Sequence, residues 1–411
     1  MAPLSQRQTA GAIFAPAVQP IFSSNVCKNQ HRFRSFGDTG IQVKDLNFLQ
    51  AGKVFNLDVF LTSAHVYRDV KGVDITHTRR PDQVHIVDSG GYSVINSTIK
   101  ADQEFARKMW EYQVKHADVA LTLDVPLGTI EAGKNPHYRT FHDCLDETVN
   151  LLTLYSEWNG SLGLGQNIRW LNIIQGRNLY ESQVWYDRVK GFNFEGWSFA
   201  GKSRKDMSTV VSRLFDMRRD GLIRKDTWFH FLGLGSLKAY VALTAIRDGL
   251  RQLLNSEEIQ VSFDSAYPFN SVSLSRQYYQ IDDWRPDTYG FSLHEIPHGL
   301  WALGNQDYTG IKGPVLPFMT WDALAYDLRG ASAGRRMELG GLKNNLLFQN
   351  HNVWSLVTAM ANAGDQLKIP RKDRTLPALF SDIYDVIFDV VSSGSSHKLA
   401  SNFHNLAAII I

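Results

Sequence analysis

QVHIVDSGG, residues 83–91, carries a β-branched apolar run straight into a carboxylate, a serine and two glycines. A continuous apolar run of this length reads as a strand buried on both faces, as the strands of a parallel sheet are, and the polar end reads as its turn. Seven further stretches repeat the form: AIFAPAV (12–18), VFNLDVFLTSA (54–64), VALTLDVP (119–126), IRWLNIIQG (168–176), GWSFAG (196–201), WFHFLGLGS (228–236) and IQVSFDSAY (259–267). Segments of helical composition lie between them, among them 101–117, 143–158, 207–221 and 237–254. Eight strands with crossover helices predict an α/β fold, a (β/α)8 TIM-type barrel. An open doubly wound sheet shares the pattern, and pattern alone does not separate the two.

The barrel is expected over residues 1–270. The rest, 271–411, changes character: aromatic and Pro/Gly-rich stretches (278–290 and 310–328) precede the helical NNLLFQNHNVWSLVTAMANAG (344–364) and a short helical tail. It reads as an appended, mostly helical C-terminal region packed on the barrel.

A chain of 411 residues with 44% hydrophobic and 20% charged residues is globular rather than disordered. The 43 basic and 41 acidic residues nearly cancel, so any nucleic-acid surface must be a local patch. Two cysteines, Cys27 and Cys144, cannot build a disulfide framework or a four-cysteine zinc site and suit a reducing, cytoplasmic setting. No window is apolar enough for a membrane span, and Pro16 and Pro20 interrupt the N-terminal apolar stretch, so no signal peptide is read.

In a barrel of this kind the active site is built at the C-terminal strand ends. Six consecutive strands end there in polar or glycine residues: Asp88 with Ser89, Gly90 and Gly91; Asp124; Gln175 with Gly176; Gly201; Gly233 with Gly235; and Asp264. Each alone also reads as a helix cap or a turn residue. Together they converge on one rim and describe a pocket of carboxylates, an amide and glycines that let backbone N–H groups approach a flat ligand such as a purine.

DSGGYSV (88–94), IIQG (173–176), FAG (199–201), LGLGS (232–236) and SFD (262–264) resemble, in order and spacing, the motifs of the tRNA-guanine transglycosylase superfamily. The resemblance covers roughly residues 10–270 and, more faintly, LLFQNHNVW. It implies a pentosyltransferase in which Asp264 attacks C1′ of the target nucleotide and guanine leaves from a covalent glycosyl-enzyme. Asp88 is then the general acid toward the departing base and the general base toward the incoming one, a role that needs a carboxyl shifted toward neutrality. Ser89, Gly90, Gly91, Tyr92, Asp124, Gln175, Gly201 and Gly233 would form the base site, Asp124 taking N1–H and the exocyclic amine, Gln175 donating to O6. Lys202, Arg204 and Lys205 would hold the nucleic-acid backbone, with Arg335, Arg336 and the Arg371, Lys372, Arg374 cluster as further cations; a charge run also reads as a plain solvated surface. A base-flipped or single-stranded target is implied.

The chain departs from the family in three places. The family's Cys3His zinc site lacks all of its cysteines here, so no metal cofactor is expected; His294, His298 and His351 could form a substitute or be ordinary polar residues. HEIPH (294–298) matches a zinc-protease string, but Pro297 and Gly299 oppose the helix that motif requires. Ser93 stands where the family commonly has Gln, and SAYPFNS (265–271) replaces a loop that normally carries an RNA-holding arginine. These differences make the chain most similar to the DpdA-type DNA transglycosylases of bacterial and phage modification systems, which place 7-deazaguanine derivatives such as the 7-cyano form in DNA. The expected partners are therefore DNA, or tRNA in the alternative, a free 7-deazaguanine base, and either a second copy or proteins of a modification system. A noncatalytic nucleic-acid-binding subunit is the remaining reading, which the presence of both Asp88 and Asp264 opposes.

Overall fold

A computed structural model describes residues 4–29, 40–51, 53–70, 73–95, 97–161, 167–281, 290–296, 313–314 and 333–411. All eight anticipated strands form: β1 (Ile13–Pro16), β2 (Val59–Ser63), β3 (Val84–Asp88), β4 (Val119–Leu121), β5 (Arg169–Ile174), β6 (Gly196–Phe199), β7 (Trp228–Phe231) and β8 (Gln260–Ser265). They make one parallel sheet in the order β1-β8-β7-β6-β5-β4-β3-β2. Its two ends meet through a parallel bridge between Ala17 and Leu61, where the Val18 N–H donates to the Leu61 carbonyl at 2.8 Å. The sheet is thus a (β/α)8 barrel and not an open doubly wound layer.

Strand residues alternate between two cores. Ile13, Ala15, Leu61, Ile86, Leu121, Leu171 and Trp228 fill the barrel interior. Their neighbours Phe14, Phe60, Val87, Ala120, Phe229 and Phe263 pack outward under the helices. Both faces are buried, which is why the strands read as continuous apolar runs. The same alternation sends Asp88, two residues beyond Ile86, and Asp264, two beyond Ser262, toward the barrel axis.

The helices are α1 (Leu4–Gln8), α2 (Pro20–Lys28), α3 (Ala64–Tyr67), α4 (Tyr92–Ile95), α5 (Gln103–His116), α6 (Gly128–Ala132), α7 (Phe141–Gly160), α8 (Leu179–Val189), α9 (Met207–Arg219), α10 (Leu237–Leu254) and α11 (Tyr267–Ser275), then α12 (Ala333–Leu367), α13 (Ala378–Ser393) and α14 (Ser396–Ala407). Five of the barrel helices start at side-chain caps: Asp102 for α5, Thr140 with Asp143 for α7, Asn178 for α8, Asp206 for α9 and Ser236 for α10.

A boundary at residue 270 falls inside α11, and the helical C-terminal region beyond it packs on the barrel. Helix α12 packs on α10, α2, α1 and β1, the position left for the eighth barrel helix. Polar anchors fix it there: Asn350 donates to the Leu46 carbonyl at 2.7 Å, Arg7 donates to Asn362 at 2.6 Å and to Asp365 at 2.8 Å, and Asn352 accepts from the Tyr279 N–H at 2.8 Å. Between α11 and α12 the short strands β9 (Gln277–Gln280) and β10 (Ser292–Glu295) pair antiparallel. Helix α13 lies on α10, and α14 on α9. Among the described residues no helix is long and apolar enough to cross a membrane.

Candidate active site

A cavity of about 550 Å³ opens at the C-terminal ends of the strands, within the range of small-ligand sites. Asp88, Gly91, Tyr92, Asp124, Gln175, Gly201, Lys202, Arg204, Gly233 and Asp264 line it, so residues spread over 177 positions of sequence share one wall. Ser89, Gly90 and Lys205 do not. Ser89 is buried behind the wall, and the Gly90 N–H donates to Asp88 Oδ2 at 3.1 Å, so these two support the carboxylate rather than touch a ligand.

Asp264 is held by two donors at one oxygen. Its Oδ1 accepts from the Gly233 N–H at 2.8 Å and faces His230 Nε2 at 3.2 Å. Behind it, His230 Nδ1 lies 2.9 Å from Ser262 Oγ, which also accepts from the Trp228 indole N–H at 2.7 Å. An imidazole that donates from Nε2 to Asp264 accepts at Nδ1 from the Ser262 hydroxyl. His230 is fully buried. Sequence reading passed over it, although a histidine in the middle of the apolar WFHF, inward like Trp228, was the available signal.

Asp88 differs. Desolvation, then the neighbouring Asp264 charge, pushes its carboxyl up to about 7 against the opposing N–H groups of Gly90 and Ser89. Asp124 is likewise pushed up to about 7, by burial and then by the Asp88 charge. Gln175 donates to Asp124 Oδ2, while its Oε1 accepts the Leu127 N–H at 2.9 Å. Its amide thereby orients Asp124 at the cavity wall. A Cβ on Gly91 would stand 2.8 Å from Asp124 Oδ1, so only glycine lets the β3 end approach that carboxylate. Gly201, at φ +69°, makes the corresponding turn after β6.

The cations divide. Lys202, exposed at the mouth, pairs with Glu131 at 2.7 Å, and Lys205 is exposed on the same turn. Arg204, expected at the nucleic-acid backbone, turns inward instead: the short 3-10 turn Ser203–Lys205 directs its Nη1 to the Gly201 carbonyl, and it lines the cavity. Arg371 and Arg374 are neutralised by Asp382 and Asp385, away from this rim. The side chains of Arg335 and Arg336, and HEIPH from residue 297 on, lie outside the described residues. Glu131, Arg177 and Asn270 also line the cavity and were missed; Arg177, directly after IIQG, was legible by position.

A Cys3His zinc site does not fit this chain, which has no cysteine after Cys144. His351 spends Nε2 on the Tyr279 carbonyl at 2.7 Å and burial lowers its pKa to about 4, while His294 on β10 faces Ser292 at 2.7 Å. Among the described residues no group of three His, Cys, Asp or Glu is placed to hold a metal.

No protein-family model matches the chain, and no curated protein matches it. Fold and site geometry, with the motif resemblance, therefore carry the functional reading.

Proposed function

We propose that the protein is a base-exchange transglycosylase that replaces guanine in DNA with a 7-deazaguanine derivative. The observation that carries this reading is the unequal pair of carboxylates at one cavity: Asp264 fixed by two donors, Asp88 protonated near neutrality. Such a division of roles is what a double displacement at an anomeric carbon requires. Asp264 forms a bond to C1′ as the C1′–N9 bond breaks, and Asp88 gives its proton to the departing guanine. An incoming base then loses its N9 proton to Asp88, and N9 displaces Asp264 from C1′. Asp124, oriented by Gln175, suits the N1–H and exocyclic amine of a guanine-type base. Lys202 and Lys205 at the mouth suit phosphates; the Lys202–Glu131 pair is exposed and costs little to open.

Incubation with labelled 7-deazaguanine bases and either duplex DNA, single-stranded DNA or tRNA tests the assignment. Label entering DNA supports it; label entering only tRNA removes the DNA assignment, and entry into neither removes the exchange reaction.

A further inference from the structure

The turn between β6 and α9 carries Lys202, Arg204 and Lys205. On its barrel side, the Ser203 N–H donates to the Gly176 carbonyl at 2.9 Å, just past the end of β5. Its other side is held by residues some two hundred positions away in the chain. The Met207 N–H donates to the Ile409 carbonyl at 3.2 Å, the Ile411 N–H donates to the Lys205 carbonyl at 2.9 Å, and Asp206 and Ile410 form an antiparallel bridge between these two bonds. Residues 409–411 thus lie along the turn as one short added strand. Their burial alternates accordingly: Ile409 is buried, Ile410 is exposed, and Ile411 is partly buried against the core.

This pairing meets a need of the turn's own backbone. The first N–H groups of a helix find no partner inside it. At the start of α9 the Asp206 carboxylate takes the Ser208 N–H at 2.9 Å, and the Ile409 carbonyl takes that of Met207, the first helical residue. The Lys205 carbonyl, at the end of the 3-10 turn, is met by Ile411. Helix α14, packed on α9, delivers the strand to this place. The strand therefore bonds to the segment that carries the cations, whereas Asp88, Asp124 and Asp264 are carried by β3, the end of β4 and β8.

We propose that residues 409–411 are a positioning strand for nucleic-acid binding: they hold Lys202 and Lys205 where phosphates beside the target base pass, and they set affinity without acting on the chemical step. Phosphate contacts of this kind fix the register of a nucleic acid on its protein. Lysines on a loosened turn can reach the same phosphates, but the turn must then be ordered at each binding event, which weakens the apparent affinity. One hydrogen bond shifts such an equilibrium by roughly 2- to 12-fold.

The inference rests on the nucleic-acid reading of the mouth, and the experiment separates the two. Ile411→Pro removes the N–H that meets Lys205, and proline keeps the residue before it extended, as the bridge at Ile410 requires. Ile411→Ala also trims the side chain but keeps the donor. Binding of a fluorescent, guanine-containing single-stranded DNA, with a tRNA in parallel, is measured for the full-length wild type and both variants. The same is done for Lys202→Ala/Lys205→Ala with and without Ile411→Pro. Affinity in Ile411→Pro should fall about three- to tenfold below that of Ile411→Ala, with KM for the nucleic acid rising in step and kcat unchanged within about twofold. The Met207 amide should exchange hydrogen faster in Ile411→Pro, and adding Ile411→Pro to the double-lysine variant should cost less than about twofold more. Equal affinity in Ile411→Pro and Ile411→Ala, a fall in kcat with KM unchanged, an unchanged Met207 amide, or a full further loss in the variant without the lysines overturns the positioning role alone. A wild type that binds neither nucleic acid overturns the underlying reading and the inference with it.

Discussion

Asp88 and Asp264 stand at the ends of two strands of one small barrel, and what separates them chemically is their donors. Asp264 collects the Gly233 N–H and the His230 imidazole, while Asp88 has only its own turn to set against burial and a neighbouring charge. If Asp88 is the acid that releases guanine, the first half-reaction should be fastest below about pH 7 and fall about tenfold per unit above it, and Asp88→Asn should lose that limb together with most of the rate. Single-turnover base release across pH 5.5–9 (about) would reveal the limb, and a flat wild-type profile would contradict the assignment. Stability follows with a definite sign. A carboxyl that ionises near 3.8 when unfolded and at about 7 when folded keeps its proton longer in the folded state, so its contribution is complete at low pH and is lost as pH rises through about 7. Asp88→Asn should therefore gain on the wild type in urea denaturation as pH rises from about 4 to about 7. His230 acts through Asp264. Its replacement by Ala removes a hydrogen bond to a charged group, which corresponds to roughly 10- to 100-fold in rate, with kcat falling more than KM rises. His230→Gln, which keeps a donor, should recover part of it; equal loss in both variants would point to packing alone.

At the scale of elements, the strands were legible because both of their faces are buried and the apolar runs are uninterrupted. Helix limits were legible where caps set them: α7 begins at Phe141, two residues before the expected start, because Thr140 and Asp143 close a capping box. The eighth barrel helix was not legible as such, because 67 residues separate α12 from β8 and a sequence pattern does not show which gap in the helical ring it fills. The site was legible as strand ends. What could not be read was where the side chains turn afterward, as with Gln175 toward Asp124 and Arg204 into the cavity. Helix α13 yields a test of the C-terminal packing. Ile387 is fully buried in it, and Ile387→Ala should cost about 3 kcal/mol in denaturant unfolding. A loss below about 1 kcal/mol would mean that α13 does not hold α10 as described.

For the molecule as a whole, the C-terminal region packs around the barrel and also reaches back to the active rim. Met207 N–H donates to the Ile409 carbonyl at 3.2 Å, and Ile411 N–H donates to the Lys205 carbonyl at 2.9 Å, so the last residues brace the turn that carries Lys202, Arg204 and Lys205. The barrel mouth, its carboxylates and its cations thus form one unit whose central claim is a covalent bond at Asp264. The measurement that tests it most directly is mass analysis of the protein after incubation with a guanine-containing nucleic acid and no incoming base. The wild type should carry a nucleic-acid adduct that maps to Asp264 and is absent from Asp264→Asn. An adduct on another residue, or base exchange that persists in Asp264→Asn, would contradict the account.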